Sequence, residues 1–334
     1  MSMGSGINIA SRLSQQVLRN QIVERRSRLE NAAAKVNDAS LQDLFDQIDA
    51  ALHKIDHGSY GYCETCLDPI EEDRLAQNPL VRFCLDHMNQ AELEAHQQDI
   101  DLAAKIQTQL LPPRDLSVDS WDLHYRYQPV GAVGGDYCEL ILQENGNSLF
   151  FAVGDVSGKG VAASLLMTHL SAIFRSLLSL NLSLSEIMIR ANRLFCDSTA
   201  AGHYATLVCG RASAGGFEIC NAGHCPPILL RRGGIEKIDS SGLPLGLFCG
   251  VEHTTSRVTL EIGDCLVLYS DGITESQDLH GNEFGESRLM QAVMDYRTER
   301  PESMAECVLR DIQRFRHPLP SSDDETLLIL RRRG

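Results

Sequence analysis

Apolar positions recur at helical spacing near the start of the chain. Leu18, Ile22, Leu29, Ala33 and Val36 fall on one helical face. After a break at Asn37-Asp38, the residues Leu41, Leu44, Phe45, Ile48, Leu52 and Ile55 follow the i, i+3, i+4, i+7 pattern, with Asp38 placed as an N-cap. Two amphipathic helices joined by a short break predict an antiparallel helical hairpin over residues 1–57, a structural or dimerisation element. Residues 58–90 lose this periodicity, and Gly58, Gly61 and Pro69 mark turns there. Helical spacing returns over residues 91–113. Leu93, Ile100, Ala103, either Ile106 or Gln107, and Leu110 form a seam near seven-residue spacing, which Pro112-Pro113 ends. One such seam cannot bury itself, so a coiled-coil-like linker helix is expected, with a homodimer formed through it and the hairpin. From residue 114 to 334 the texture is mixed α/β. Short apolar runs at 149–153, 206–209, 227–230, 265–269 and 327–330 alternate with turn residues, and helical stretches lie at 161–180, 184–197 and 302–315.

Composition narrows the class. The chain has 334 residues, of which 43% are hydrophobic and 22% charged, a globular balance that excludes a mainly disordered protein. Its net charge of −15, from 30 Lys+Arg against 45 Asp+Glu, argues against nucleic acid and anionic membrane as partners. It also leaves carboxylates free for hard metal ions. The 11 cysteines are an odd count scattered along a long chain, unlike the disulfide framework of a small secreted domain. Residues 1–6 lack Lys and Arg, so no signal peptide is expected. The longest apolar stretch, 161–180, is interrupted by His169 and Arg175, so no transmembrane helix is expected either. A cytoplasmic protein is the expectation.

Three of those cysteines cluster. Cys63-x2-Cys66 is followed by Cys84-x2-His87, two close pairs of soft or borderline ligands that suit one structural, tetrahedral Zn²⁺. Such an ion staples a piece too small for a core of its own. The stretch Ala51-Leu-x-x-Ile55, Gly58-Ser-Tyr-Gly61, Cys63-Glu-x-Cys66, Pro69-Ile70, Arg74-Leu75 and Cys84 resembles the zinc finger of the DksA/TraR family. In that family a helical hairpin precedes the finger and its acidic tip enters RNA polymerase. Two departures stand out: His87 replaces the family's usual fourth Cys, and Val36-Asn37-Asp38-Ala39 keeps only part of the acidic tip.

Aspartates stand where apolar strands meet turns. Asp136 lies in Gly134-Gly135-Asp136-Tyr137, Asp155 in Gly154-Asp-Val-Ser-Gly-Lys-Gly160, Asp271 in Ser270-Asp-Gly-Ile-Thr-Glu275, and Asp323-Asp324 precede the last apolar run. Each alone reads as a turn or cap. Together, oxygen donors gathered at strand ends suit Mg²⁺ or Mn²⁺. Two lookalike motifs fail. The Gly154–Lys159 stretch has three residues between its glycines where a nucleotide P-loop needs four, and Gly160 where it needs Ser or Thr. His224-Cys225-x5-Arg231 has cysteine-phosphatase spacing, but Pro226-Pro227 removes two N–H donors and Ile228-Leu229-Leu230 reads as strand.

These pieces, with Leu102-Ala-x-x-Ile106-Gln107, Leu110-Leu-Pro112, Asn221-Ala-Gly-His224, Gly242-Leu-Pro-Leu-Gly246 and Asp323-Asp-x-Thr326, resemble the SpoIIE/RsbU branch of the metal-dependent protein phosphatases, the PPM family. The resemblance implies an α-β-β-α four-layer sandwich over 114–334 with a two-metal site at one sheet edge. It implies that Asp155 bridges two Mn²⁺ or Mg²⁺ ions, that Asp271 and Asp323 complete one, and that Asp136 and the Val156 carbonyl hold the other. It further implies serine/threonine phosphatase activity, with a phosphorylated STAS-domain anti-anti-sigma protein as substrate. The zinc module and hairpin are expected to act as a regulatory sensor, docking site or dimerisation unit. A second expectation makes the zinc module an adaptor for RNA polymerase, with the phosphatase domain as scaffold.

Overall fold

The computed structural model describes residues 39–88, 90–118, 120–143, 148–180, 182–199, 202–240 and 242–334, with positions 19, 22, 23, 26, 27 and 30. The chain divides into two compact units, residues 1–97 and 98–334.

The first unit holds helix α1 (Ala39–Asp56), the short helix α2 (Glu72–Gln77) and a 3₁₀ turn (Leu85–His87). The described positions between 19 and 30 are helical. Arg19 pairs with Asp56 at 3.5 Å and Arg26 with Asp49 at 3.0 Å, so this stretch runs antiparallel to α1. Ile22 and Ile48 are fully buried against Ala51, Tyr60, Ile70, Leu75 and Leu80. The predicted break at Asn37-Asp38 and most of the tip lie outside the described residues, as do Leu18, Leu29, Ala33 and Val36.

Helix α3 (Gln90–Leu110) leads into the second unit. Among the described residues there, the strands are β1 (Asp115–Val118), β2 (Trp121–Gln128), β3 (Asp136–Leu142), β4 (Leu149–Val156), β5 (Ala205–Ser213), β6 (Gly216–Ala222), β7 (Ile228–Arg231), β8 (Gly234–Lys237), β9 (Ser256–Thr259), β10 (Cys265–Tyr269) and β11 (Glu325–Arg332). They form a six-stranded sheet, β1-β2-β11-β10-β7-β8, and a five-stranded sheet, β3-β4-β5-β6-β9. All neighbours are antiparallel. The helices are α4 (Gly160–Leu178), α5 (Leu184–Ser198), α6 (Asp271–Thr274), α7 (Gly285–Asp295) and α8 (Pro301–Arg316).

Period-two alternation sorts the side chains into three cores. Leu123 and Tyr125 of β2, Phe151 and Val153 of β4, Leu266 and Leu268 of β10, and Leu328 and Leu330 of β11 fill the space between the sheets. The alternate residues of the five-stranded sheet, Phe150, Ala152, Leu207 and Cys209, meet α4 and α5. Those of the six-stranded sheet, Val267, Leu327 and Ile329, meet α7 and α8. The layers are therefore α-β-β-α. At about 1.5–3 kcal/mol per fully buried large side chain, these three cores supply most of the drive to fold. Helix α4 is long and apolar enough to cross a membrane by length and composition. Its Ala163, Met167, Leu170, Phe174 and Leu177 are spent on the sheet, as in a soluble core helix. Helix α5 starts at a capping box: the Ser183 hydroxyl accepts from the Glu186 N–H, and the Glu186 carboxylate accepts from the Ser183 N–H at 2.9 Å.

Candidate active site

The antiparallel register sets Asp136, the first residue of β3, opposite Asp155, near the end of β4. Both share the parity of Cys138 and Val153, which face the other sheet. Across that layer β10 ends at Tyr269, Asp271 opens α6, and Asp323-Asp324 precede β11. Polar bonds stitch these ends together. The Thr326 hydroxyl donates to Asp136 Oδ2 at 2.5 Å. The Ser270 hydroxyl accepts from the Thr326 N–H at 2.9 Å and donates to the Asp324 carbonyl at 3.2 Å.

The adjacent aspartates do different work. Asp324 accepts from the Val130 N–H at 2.8 Å and the Gly135 N–H at 2.7 Å, so both its oxygens hold the loop before β3. Asp323 accepts from the Lys159 ammonium at 2.9 Å. Glycine is needed where these segments touch. A Cβ on Gly135 would lie 3.2 Å from both Asp155 Oδ1 and the Val156 carbonyl, which brings those two oxygens to one side of the loop. A Cβ on Gly272 would strike the Asp324 carbonyl at 2.1 Å. A cavity of about 410 Å³ opens here, lined among others by Asp155, Val156, Lys159, Tyr204, Asp323 and Asp324.

Electrostatics mark the cluster. Burial, then the charges of Asp271, Asp323 and Asp324, push the Asp155 carboxyl up to about 7. Burial and then Asp323 raise Asp271. Burial raises Asp136 well above the usual carboxylate range, against the opposing hydrogen bond from Thr326. Lys159, three-quarters exposed, is the one cation hydrogen-bonded to this cluster among the described residues. Oxygen donors that repel one another and are under-compensated by cationic side chains fit hard divalent ions.

A pH dependence follows. A carboxyl whose pKa is raised on folding stabilises the fold below its unfolded value and withdraws that stability as pH rises through its folded value. For Asp155 that window runs from its ordinary value of 3.8 to about 7. Metal-free protein is expected to lose melting temperature across this window, less so in Asp155→Asn. The rise in melting temperature on adding Mn²⁺ should be larger at about pH 8 than at about pH 5.5, because protons and metal compete for the same oxygens. Thermal melts with and without Mn²⁺ check this.

Other residues complete the site. The apolar seam left Ile106 and Gln107 as alternatives; Ile106 is exposed and Gln107 is 4% exposed. The Gln107 amide donates to the Gly134 carbonyl at 2.7 Å and accepts from the Gly134 N–H at 3.1 Å. The sequence signals for this clamp are a glutamine at an apolar seam position and its place in the Leu102-Ala-x-x-Ile106-Gln107 motif. Glu139 is buried and takes two bonds from Arg175, whose Nη2 also donates to the Leu110 carbonyl at 2.7 Å. Nothing in the sequence marked that network. The Cys225 loop is no phosphate cradle: residues 228–231 are strand β7, Arg231 bonds Glu236 at 2.9 Å, and burial pushes the Cys225 thiol up to about 12. Burial lowers His224 to about 4, and its Nδ1 lies 2.9 Å from the Thr206 hydroxyl.

In the first unit, one ligand atom each from Cys63, Cys66, Cys84 and His87 lies within 4.8 Å of the others. The Cys66 and Cys84 sulfurs are 3.7 Å apart. Two sulfurs each about 2.3 Å from a tetrahedral ion would sit about 3.8 Å apart. The Cys63-x2-Cys66 turn closes through the Leu67 N–H to the Cys63 carbonyl at 3.0 Å, with Leu67 at φ 64°. Burial raises the Cys63 thiol, but N–H groups of Cys66, Cys84 and Thr65 outweigh it and hold the group down at about 6. Donor set and spacing fit zinc.

Comparison with known proteins adds lineage. The family model of stage II sporulation protein E (SpoIIE) matches residues 145–333, and that of the prokaryotic dksA/traR C4-type zinc finger matches residues 58–86. His87 lies one residue past the second match. The chain is 28% identical over 242 residues to protein IcfG of Synechocystis, covering 62% of this chain and 36% of that protein. It is 24% identical over 239 residues to phosphoserine phosphatase RsbU of Bacillus subtilis, covering 70% of each. The crystal structure of the RsbU and RsbW domains of a Mycobacterium tuberculosis protein superposes with TM-score 0.57 at 26% identity, covering 65% of this chain and 61% of that one.

Proposed function

Because the chain belongs to the SpoIIE family, we propose that it is a metal-dependent serine/threonine protein phosphatase that hydrolyses a phosphoserine or phosphothreonine on a regulatory protein. The observation that carries this is the gathering of Asp136, Asp155, Asp271 and Asp323 at one sheet edge, beside a cavity and with raised proton affinities.

Asp155 would bridge two Mn²⁺ or Mg²⁺ ions, Asp271 and Asp323 would complete one, and Asp136 with the Val156 carbonyl would hold the other. Such ions supply a nucleophilic water at neutral pH and offset phosphoryl charge. The chain's own groups prepare the site. Thr326 orients the Asp136 carboxylate, and Asp324 and Gln107 fix the Gly134-Gly135 loop from either side. Lys159 stands at the cavity wall, where its ammonium can meet a phosphate oxygen. No side chain need form a covalent phosphoenzyme, and the high Cys225 thiol pKa keeps that sulfur protonated.

The substrate class rests on the relatives. One is a phosphoserine phosphatase, and a solved neighbour joins an RsbU domain to an RsbW domain. A phosphorylated STAS-domain anti-anti-sigma protein is the substrate we propose, in the cytoplasm, with the zinc-bearing unit as regulator and homodimerisation element. The DksA/TraR-type finger favours a second reading, an adaptor for RNA polymerase. Phosphoproteomics of cells carrying Asp155→Asn separates the two. Accumulation of a STAS-domain phosphoprotein supports the phosphatase. An unchanged phosphoproteome, with polymerase co-purifying, supports the adaptor.

A further inference from the structure

We infer that the second unit carries a separate anion site that recognises a diphosphate group on a small molecule. The cavity measures about 460 Å³ and is walled by Arg114, Arg126, Arg310, Gln313, Tyr127 and Leu309, with Glu306 and Glu325. It shares no lining residue with the cavity beside Asp155. Its volume falls in the range of small-molecule sites, about 300–1,000 Å³.

The register creates the space. Strand β1 pairs with residues 121–124 and the Arg114 carbonyl accepts from the Tyr125 N–H at 3.0 Å, so residues 126–128 of β2 lack a strand partner on that side among the described residues. Trp121, Leu123 and Tyr125 face the other sheet, so Arg126 and Gln128 point toward α8. Helix α8 answers with Glu306, Leu309, Arg310 and Gln313, a stripe at i, i+3, i+4, i+7 beside its buried face of Met304, Ala305, Val308 and Ile312. The result is a polar shoulder where α8 overhangs the exposed half of β2.

Charge decides the ligand. The two acids in the wall are already engaged. Glu306 accepts from Arg126 at 2.8 Å, while Glu325 is paired with the buried Arg316 and accepts from the Ser321 hydroxyl at 2.8 Å. Arg114 and Arg310 have no side-chain hydrogen bond or ion pair among the described residues, and both are exposed. Two uncommitted guanidiniums beside a third make a positive pocket in a chain of net charge −15. Guanidinium forks match phosphate oxygens two at a time, and two forks match two adjacent phosphates. Leu309, on the same stripe of α8, offers apolar surface to whatever the diphosphate carries.

The test is calorimetric titration of the full, zinc-loaded chain in buffer without added divalent metal, using ADP, pyrophosphate and adenosine as probes. Saturable binding of ADP or pyrophosphate, and none of adenosine, is expected. Tighter ADP binding assigns the ligand to nucleotides, and equal affinity assigns it to the free polyphosphate. The double variant Arg114→Ala/Arg310→Ala should weaken binding at least about 10-fold with an unchanged melting temperature, whereas Lys159→Ala should leave it intact. No saturable binding of either anion, or binding that survives the double substitution, overturns the inference. So does binding that Lys159→Ala removes, since the anion would then occupy the Asp155 cavity.

Discussion

Asp155→Ala is expected to slow phosphoserine hydrolysis by at least about 10³-fold while raising the melting temperature of the metal-free protein. The two effects have opposite signs for one reason. Asp155 sits where Asp271, Asp323 and Asp324 all repel its charge, and burial adds to the cost. Without metal that charge works against the fold, and removing it relieves the neighbours. At the proposed two-metal site the same charge would supply the binding energy, and the loss of a bridging carboxylate would leave the ions without a shared ligand. A mutation that merely damaged packing would lower both activity and melting temperature. Phosphate release and thermal melts on the same preparations distinguish these outcomes. In addition, the Mn²⁺-induced rise in melting temperature should shrink in the variant.

Cys84→Ser is expected to cost the first unit its zinc and its fold. The buried cluster there comprises Ile22, Ile48, Ala51, Tyr60, Ile70, Leu75 and Leu80 with Cys63 and Cys84 themselves. Two of the nine are zinc ligands on this account, and the rest form a core too small to hold the loops at 57–90 alone. Structural zinc contributes on the order of 10 kcal/mol in small fingers, more than such a cluster can replace. Amide hydrogen exchange over residues 39–88 should lose protection in the variant, while the sheets of the second unit keep theirs. Zinc content by mass spectrometry should fall from one ion per chain to none. His87→Cys, which restores the usual fourth ligand of such fingers, should keep both. Retained zinc and retained protection in Cys84→Ser would remove the staple from the account.

Legibility followed burial. Strands β4, β5, β7, β10 and β11 were visible as apolar runs because they lie inside a sheet with both faces covered. The long helices α4, α5 and α8 were visible because one face of each is continuously apolar. Strand β2 does not read as an apolar run. Trp121, Leu123, Tyr125 and Tyr127 alternate with Asp122, His124, Arg126 and Gln128, and the second set faces a helix across a polar shoulder. Strand β3 is hidden in the sequence because it opens on Asp136 and carries buried Glu139, whose charge is answered by Arg175 from another element. The acids themselves were legible from their glycine-rich settings. Their division of labour was not: that Asp324 holds a loop and Thr326 bonds Asp136 depends on contacts nearly 190 residues apart in sequence. The same holds for Gln107, whose partner Gly134 lies 27 residues away. The cysteine and histidine of the zinc set were legible because their spacing is local, and local spacing survives without a fold.

The central claim is that the carboxylates around Asp155 act through bound divalent metal on a phosphoester. Its most direct measurement is release of inorganic phosphate from a phosphoserine protein as Mn²⁺ is titrated into metal-depleted enzyme. The account predicts no release before Mn²⁺ is added, a saturable rise with added ion, and no rise in Asp155→Ala. Phosphate release that proceeds in the depleted enzyme, or that Asp155→Ala leaves unchanged, would contradict it.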